Sequence, residues 1–397
     1  MGKVALDNTL QETNSLLRIL VRENLRIDSY KDIQKIVQEG KAAEFFEIGD
    51  QINVPWNDGA KQYTIPFDVV HFGEVELENG DKVPGMYLES HAAICQDYGI
   101  AFDKNEAFWY CDTELAAGTY HFTMGNSWGT HVVANKVYQF TLTKPVPQGG
   151  HLTGMYGMPD QAPTSWRIYS FENATTATAL ETVAPIEGSD GTDLGVISSN
   201  TKYDAAGLNN MQRIAYGYNR WAQSALRQWL NKDGAANGWW TPQNKFDHCP
   251  DEHATRQSFV HGVDKAFLEC IKPIKVATAL NTASDSAVGT WEYTYDRFFL
   301  AGLEQEFIKP QLAGEGEAWD YWKAVMNGEK SAQYGTYPER MRYGLKNDGT
   351  IGSAQNCRLR SANRGHAHYT WNVGTSGYVY SHYATTAHRC APACVIC

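Results

Sequence analysis

Between Leu359 and Cys397 two classes of residue interleave, and this interleaving limits the possible fold more than any other feature of the chain. The first class is mostly small or apolar: Ala362, Ala367, Trp371, Val373, Ser376, Gly377, Val379, Ala384, Ala387, Arg389 and the run from Cys390 to Ile396. The second is Gly365, His366, His368, Tyr369, Thr370, Gly374, Tyr378, Tyr380, Ser381, His382, Tyr383, Thr386 and His388. Successive side chains of a strand point to opposite faces, so around Trp371–Val373 and Gly377–Tyr380 the pattern predicts the first class inward and the second outward. Exchange at the outward positions then spares the core, where truncations cost several kcal/mol against a total stability of about 5–15 kcal/mol.

The second class also obeys a coding filter. Each of its members is reached from the Asn codon AAC by changing only the two adenines, a route that also allows Asp, Arg and Phe but never Lys, Glu, Gln, Met or Trp. The stretch from Ser361 to Cys397 contains no Lys, Glu, Gln or Met, and its single Trp, Trp371, falls in the first class. The residues before it are rich in Lys and Glu, so the filter is local.

With those positions returned to Asn, the segment resembles the template-derived region of diversity-generating retroelement variable proteins. Its end reads WNVGTSGYVYSHYATTAHRCAPACVIC. Weaker similarity extends through GYNRWAQSALRQWLN at Gly217–Asn231 and YDRFFLAGLEQ at Tyr295–Gln305. The resemblance implies an α+β fold with a C-terminal C-type-lectin-like domain. It also implies a binding role, as in phage tail-tip proteins that attach to host receptors or in lectin-like proteins displayed on bacterial surfaces. The second class, from Gly365 to His388, would be the ligand-binding surface.

Composition narrows the partners. A net charge of −11 argues against an electrostatic grip on nucleic acid or an anionic membrane. The opening residues lack the apolar core of a signal peptide, and no apolar run reaches the length of a membrane span. The expected location is therefore a phage virion, at the tail tip, or a cell surface reached by another route. Eight cysteines in a chain this long do not make a disulfide scaffold, and Cys390, Cys394 and Cys397 match no common zinc spacing. They read as core. Neither a metal nor a cofactor is expected.

Along the chain, residues 1–28 carry Leu6, Leu10, Leu17, Leu20 and Ile27 at heptad positions with Asn24 in the seam, which predicts a helix able to form a homo-oligomer, naturally a trimer. Ser29 with Asp32 announces a second helix through Ile33, Ile36 and Val37, with Gly40 as its stop. The rest of 29–145 reads as a β-rich module, clearest at Thr119–Thr123 and Val137–Leu142, with Trp109, Tyr110 and Trp128 in its core. Residues 146–204 are rich in Gly, Ser, Thr and Pro and read as loop or linker. The lectin-like domain would occupy 205–397, with its hypervariable part at about 355–388 and a helix carrying Trp221, Ala225 and Trp229 on one stripe. Ile274–Leu280 and Arg297–Leu300 read as strands, and Trp319–Met326 as another packed helix.

The second-class chemistry suits recognition. Four Tyr and four His lie among the twenty-four residues from Gly365 to His388, set among Ser, Thr and Gly as in antibody paratopes. A host-cell surface protein or glycan is the expected partner. Calcium-dependent sugar binding is not expected, because no carboxylate lies in this set. Catalysis in the manner of the lectin-fold formylglycine-generating enzymes is not expected either, since no nucleophile is paired with a base and an orienting carboxylate.

Overall fold

A computed structural model describes residues 27–104 and 217–397 apart from 244–246, 248, 283–284 and 286–287, and between 105 and 216 only the strands named below with residues 114, 116, 117 and 145. The heptad segment 1–26, Trp128 and the side chains of Trp109 and Tyr110 lie outside the described residues.

Helix α1 (Tyr30–Gln38) starts at the expected capping box: Ser29 accepts from the Asp32 amide while the Asp32 carboxylate accepts from the Ser29 amide at 3.0 Å. Ile33 and Val37 face inward, and Gly40 follows in the left-handed conformation, φ +71°. After α2 (Ala42–Phe45) come β1 (Gln51–Asn57), β2 (Gln62–Glu76) and β3 (Lys82–Ser90), an antiparallel meander. Strict alternation of exposed and buried residues in β1 marks a sheet covered on one face. Short strands follow: β4 (Phe108–Tyr110), β5 (Gly118–Met124), β6 (Val137–Leu142), β7 (His151–Thr153), β8 (Ile168–Asn173) and β9 (Glu181–Thr182). The expected strands at Thr119–Thr123 and Val137–Leu142 pair with each other. Three of these strands, β7, β8 and β9, fall in the stretch read as linker, and β8 and β9 extend the sheet of β5 and β6.

The expected helix at Trp221–Leu230 is broken. A 3-10 turn at Trp221–Gln223 stops at Ser224, whose hydroxyl then caps α3 (Ala225–Asn231) by accepting from the Arg227 amide at 3.1 Å. Trp221, Ala225, Leu226, Trp229 and Leu230 are nonetheless all buried. Beyond α4 (Phe259–Gly262) and α5 (Lys265–Leu268), β10 (Ile274–Ala279) pairs with β11 (Trp291–Asp296). Strand structure in Arg297–Leu300 is confined to β12 (Phe299–Leu300), and the Trp319–Met326 segment forms α6 (Asp320–Val325). β13 (Arg342–Leu345) and β14 (Ile351–Gln355) make a hairpin, followed by β15 (Cys357–Ala362), β16 (Tyr369–Val373), β17 (Val379–Tyr383), β18 (Arg389–Cys390) and β19 (Pro392–Ile396).

The main sheet runs β1-β2-β3-β19-β12. β19 lies between β3 and β12, with Met86 opposite Ile396 and Phe299 opposite Ala393. The residues assigned to the β-rich module and to the C-terminal domain therefore share one sheet and one core, in which Trp56, Phe67, Trp229 and Phe259 pack together with Val395 and Ile396. A boundary between them in this region does not fit the packing. The fold is mixed helix and strand, an α+β arrangement. Among the described residues no helix is long and apolar enough to cross a membrane.

Candidate functional site

A second sheet, β17-β16-β15-β18, carries Tyr369, Thr370, Tyr380, Ser381, His382 and Tyr383 on its strands, and the other second-class residues lie in the segments that connect them. Register sets Asn372 opposite Arg358 and Tyr380, and Thr370 opposite His382, so these share one face. Trp371 opposite Ser381 and Tyr369 opposite Tyr383 share the other. As expected, Trp371, Val373 and Val379 turn into a core, with Leu303, Ile308 and Leu359. The run Tyr380–Tyr383 cannot lie on one face, because a strand repeats every two residues. It divides between both.

On the first face the Tyr378 and Tyr380 rings stack at 5.9 Å, and His382 meets Tyr380 at 5.9 Å and His388 at 5.2 Å. Beneath them lies Arg358, 1% exposed. Its guanidinium donates to the Thr370 hydroxyl and to the carbonyls of Tyr383 at 3.0 Å and Thr386 at 2.7 Å. Among the described residues it has no carboxylate partner, and burial pulls its pKa down to about 9. On the second face Tyr369 packs on His368 at 4.3 Å and on Tyr383 at 5.0 Å, with His366 at 5.0 Å.

Not every second-class residue reaches solvent. Gly365 and Tyr378 are exposed, and His366, Tyr369, Tyr380, Ser381, His382, Tyr383 and Thr386 are half-buried. His368, Thr370, Gly374 and His388 are buried, against expectation. Thr370 serves Arg358, His368 is covered by Tyr369 and Tyr383, and His388 by Tyr380 and His382. A Cβ on Gly374 would sit 3.2 Å from the Tyr380 ring. Burial pushes His368 down to about 3, helped by His366, and His388 down to about 2, helped by Arg358, His382 and Arg389. Conversely, Ser376 and Ala387 of the first class are exposed.

Two fixed side chains hold this segment by its main chain. Arg358 is one. The other is Asn219, fully buried, whose amide nitrogen lies 3.1, 2.6 and 2.8 Å from the carbonyl oxygens of Asn363, His366 and Tyr369. The Asn219 oxygen accepts from Asn281 at 2.9 Å, which fixes the orientation of the amide. Gly217 (φ +82°) brings this strand of chain against Asp103 and Ala384, where a Cβ would lie 2.4 Å from the Asp103 carbonyl. Because the clamp reads carbonyls, the side chains it holds can change while the loop keeps its course. Asn219→Ala should strand the His366 carbonyl, at about 1–3 kcal/mol, since the carbonyls of Asn363 and Tyr369 still accept from the His366 and Asn363 amides, and speed amide exchange across residues 363–369. Hydrogen exchange unchanged in that window would remove the clamp.

The site offers little for covalent chemistry. Burial raises the Cys390 and Cys394 thiols well above their ordinary value, which keeps them protonated. No group of three His, Cys, Asp or Glu among the described residues is placed to hold a metal. What the geometry defines is a rigid α+β frame presenting aromatic side chains on a clamped hairpin. Residues 198–397 match DUF6273, described as a domain of unknown function, and the chain belongs to that family. No curated protein and no solved structure matches the chain.

Proposed function

We propose that this protein is a hypervariable ligand-binding protein whose C-terminal segment is diversified by a retroelement and whose role is attachment to a host-cell surface, as at a phage tail tip. In this reading residues 205–397 correspond to a C-type-lectin-like domain, with β15–β17 as its variable part. The observation that carries the proposal is the division of labour in one hairpin: Trp371, Val373 and Val379 fill the core while the AAC-derived Tyr378, Tyr380, Tyr383 and His366 meet solvent. A clamp made largely to main-chain carbonyls supports it.

Two measurements test it. The DNA beside the gene should hold a near-repeat of its 3′ end with AAC at the second-class codons, next to a reverse transcriptase gene; absence of both removes the diversification. Multivalent copies of the full chain should attach to bacterial cells, because linked weak contacts gain through effective concentration. Replacing Tyr378, Tyr380 and Tyr383 by Ser should reduce that attachment by at least about thirtyfold, the loss expected from one hot-spot tyrosine alone. Attachment equal to wild type would place the receptor site elsewhere.

A further inference from the structure

We infer that Tyr334, which lies outside the diversified segment, is a constant anchor of the binding surface and that the ledge it forms with Tyr369, Ser381 and Tyr383 fits a protein partner. The inference rests on the proposed binding function. Tyr334 is 53% exposed although its ring is large and apolar, and its backbone is held at φ +59°, a region that bulky residues rarely adopt. Such an outlier persists only where its surroundings impose it, and outliers of this kind gather at ligand-contacting sites.

The surroundings here are specific. The segment around Tyr334 is laid along the free edge of β17: the Val379 amide donates to the Gly335 carbonyl at 2.9 Å, the Tyr337 amide to the Gly377 carbonyl at 3.0 Å, and Thr336 bridges Tyr378. Gly377 (φ +75°) allows this approach, since a Cβ there would lie 2.0 Å from the Tyr337 carbonyl oxygen. The Tyr334 ring then stands edge-on over Trp371 at 5.1 Å, and its hydroxyl lies 3.4 Å from the Ser381 hydroxyl. Ser381 shares its face with Tyr369 and Tyr383. A residue outside the second-class segment thus flanks residues within it, which under the proposed diversification would give every variant the same aromatic edge.

The chemistry favours protein over sugar. A sugar site needs amide or carboxylate groups for its hydroxyls, and the nearby amides are engaged internally: Asn363 donates to Ser381 at 3.1 Å and Asn219 to main-chain carbonyls. Among the described residues of the ledge there is no carboxylate. Burial of rigid aromatics set among hydroxyls is the mode by which protein surfaces are bound.

The test measures retention of the fluorescent full chain on cell-envelope preparations from a panel of bacteria, either untreated, protease-treated or periodate-treated. Tyr334→Asn should lose about thirtyfold in retention, the fold-change for truncating an interface anchor, with no fall in Tm, because Asn accepts the left-handed conformation more easily. Tyr334→Gly removes the ring without backbone strain and serves where the Asn variant melts early. Tyr293→Asn, at a comparably exposed tyrosine on β11, should leave retention unchanged. Protease should abolish retention and periodate should not. Wild-type retention by both Tyr334 variants, together with loss in Tyr369→Ser or Tyr383→Ser, overturns the anchor and leaves the binding function standing. Wild-type protein retained by no envelope overturns the binding function and the anchor with it. Retention abolished by periodate but not protease overturns the protein partner.

Discussion

Replacing Arg342 by Met should cost the fold about 3–5 kcal/mol, the usual penalty for removing one partner of a buried ion pair. Arg342 is 4% exposed and donates to Glu89 at 2.5 Å and to the Ser90 carbonyl at 2.7 Å, with its guanidinium 4.8 Å from the centre of the Trp322 ring. Glu306 lies 3.9 Å from it and 3.6 Å from Arg340. Two carboxylates and two guanidiniums thus sit in one buried knot tying β13 and the Glu306 turn to the end of β3. Removing Arg342 leaves Glu89 facing Glu306 across low dielectric with only Arg340 to offset them. Against a total of about 5–15 kcal/mol, such a loss should be plain in a denaturant titration. A shift below about 1 kcal/mol would mean that solvent reaches the knot.

The second large effect should come with acid. His368 and His388 are held neutral in the fold, with pKa values near 3 and 2, whereas an unfolded histidine titrates at about 6.5. Between those values the unfolded chain binds protons that the folded chain refuses, so this stability is complete above about pH 6.5 and is lost as pH falls. By pH 5 the loss should reach about 2 kcal/mol for each histidine. Burial raises the carboxyls of Glu89, Glu306 and Glu315, and these act in the opposite direction. The informative comparison is therefore between the wild-type chain and His388→Phe, which should lose about 2 kcal/mol less between pH 7.5 and 5. Identical slopes in urea melts across that range would show that His388 titrates as an exposed imidazole.

Local signals were legible in the sequence. The Ser29–Asp32 capping box, Gly40, and the β-branched runs at Thr119–Thr123 and Val137–Leu142 each depend on neighbours a few residues away. Pairing was not. The run from Cys390 to Ile396 reads as a core strand, but nothing in it names Lys82–Ser90 as its partner, because ladder bonds are made by backbone groups that all residues share. Ser224 carried a cap signal that the continuous stripe of Trp221, Ala225 and Trp229 masked. The site was read from the coding filter and strand alternation, which misplace His368 and His388, whose cover comes from neighbouring aromatic rings. Asn219 was visible only as a letter in a phrase and Arg358 was not singled out at all, since a side chain that binds carbonyls has no sequence partner.

The position of β19 has a consequence for inheritance. It follows the β16–β17 hairpin after the short β18, yet it is an inner strand of the main sheet, flanked by β3 and β12. A stop codon or a shift of reading frame anywhere in the hairpin deletes that strand and leaves one edge of β3 unpaired over an apolar core. Such a chain cannot reach the folded state to display a faulty surface. Under the diversification proposed above, exchange at the solvent-facing positions would spare the sheet while loss of frame would yield unfolded protein, so the sheet would act as a proof-reader for the segment that precedes it.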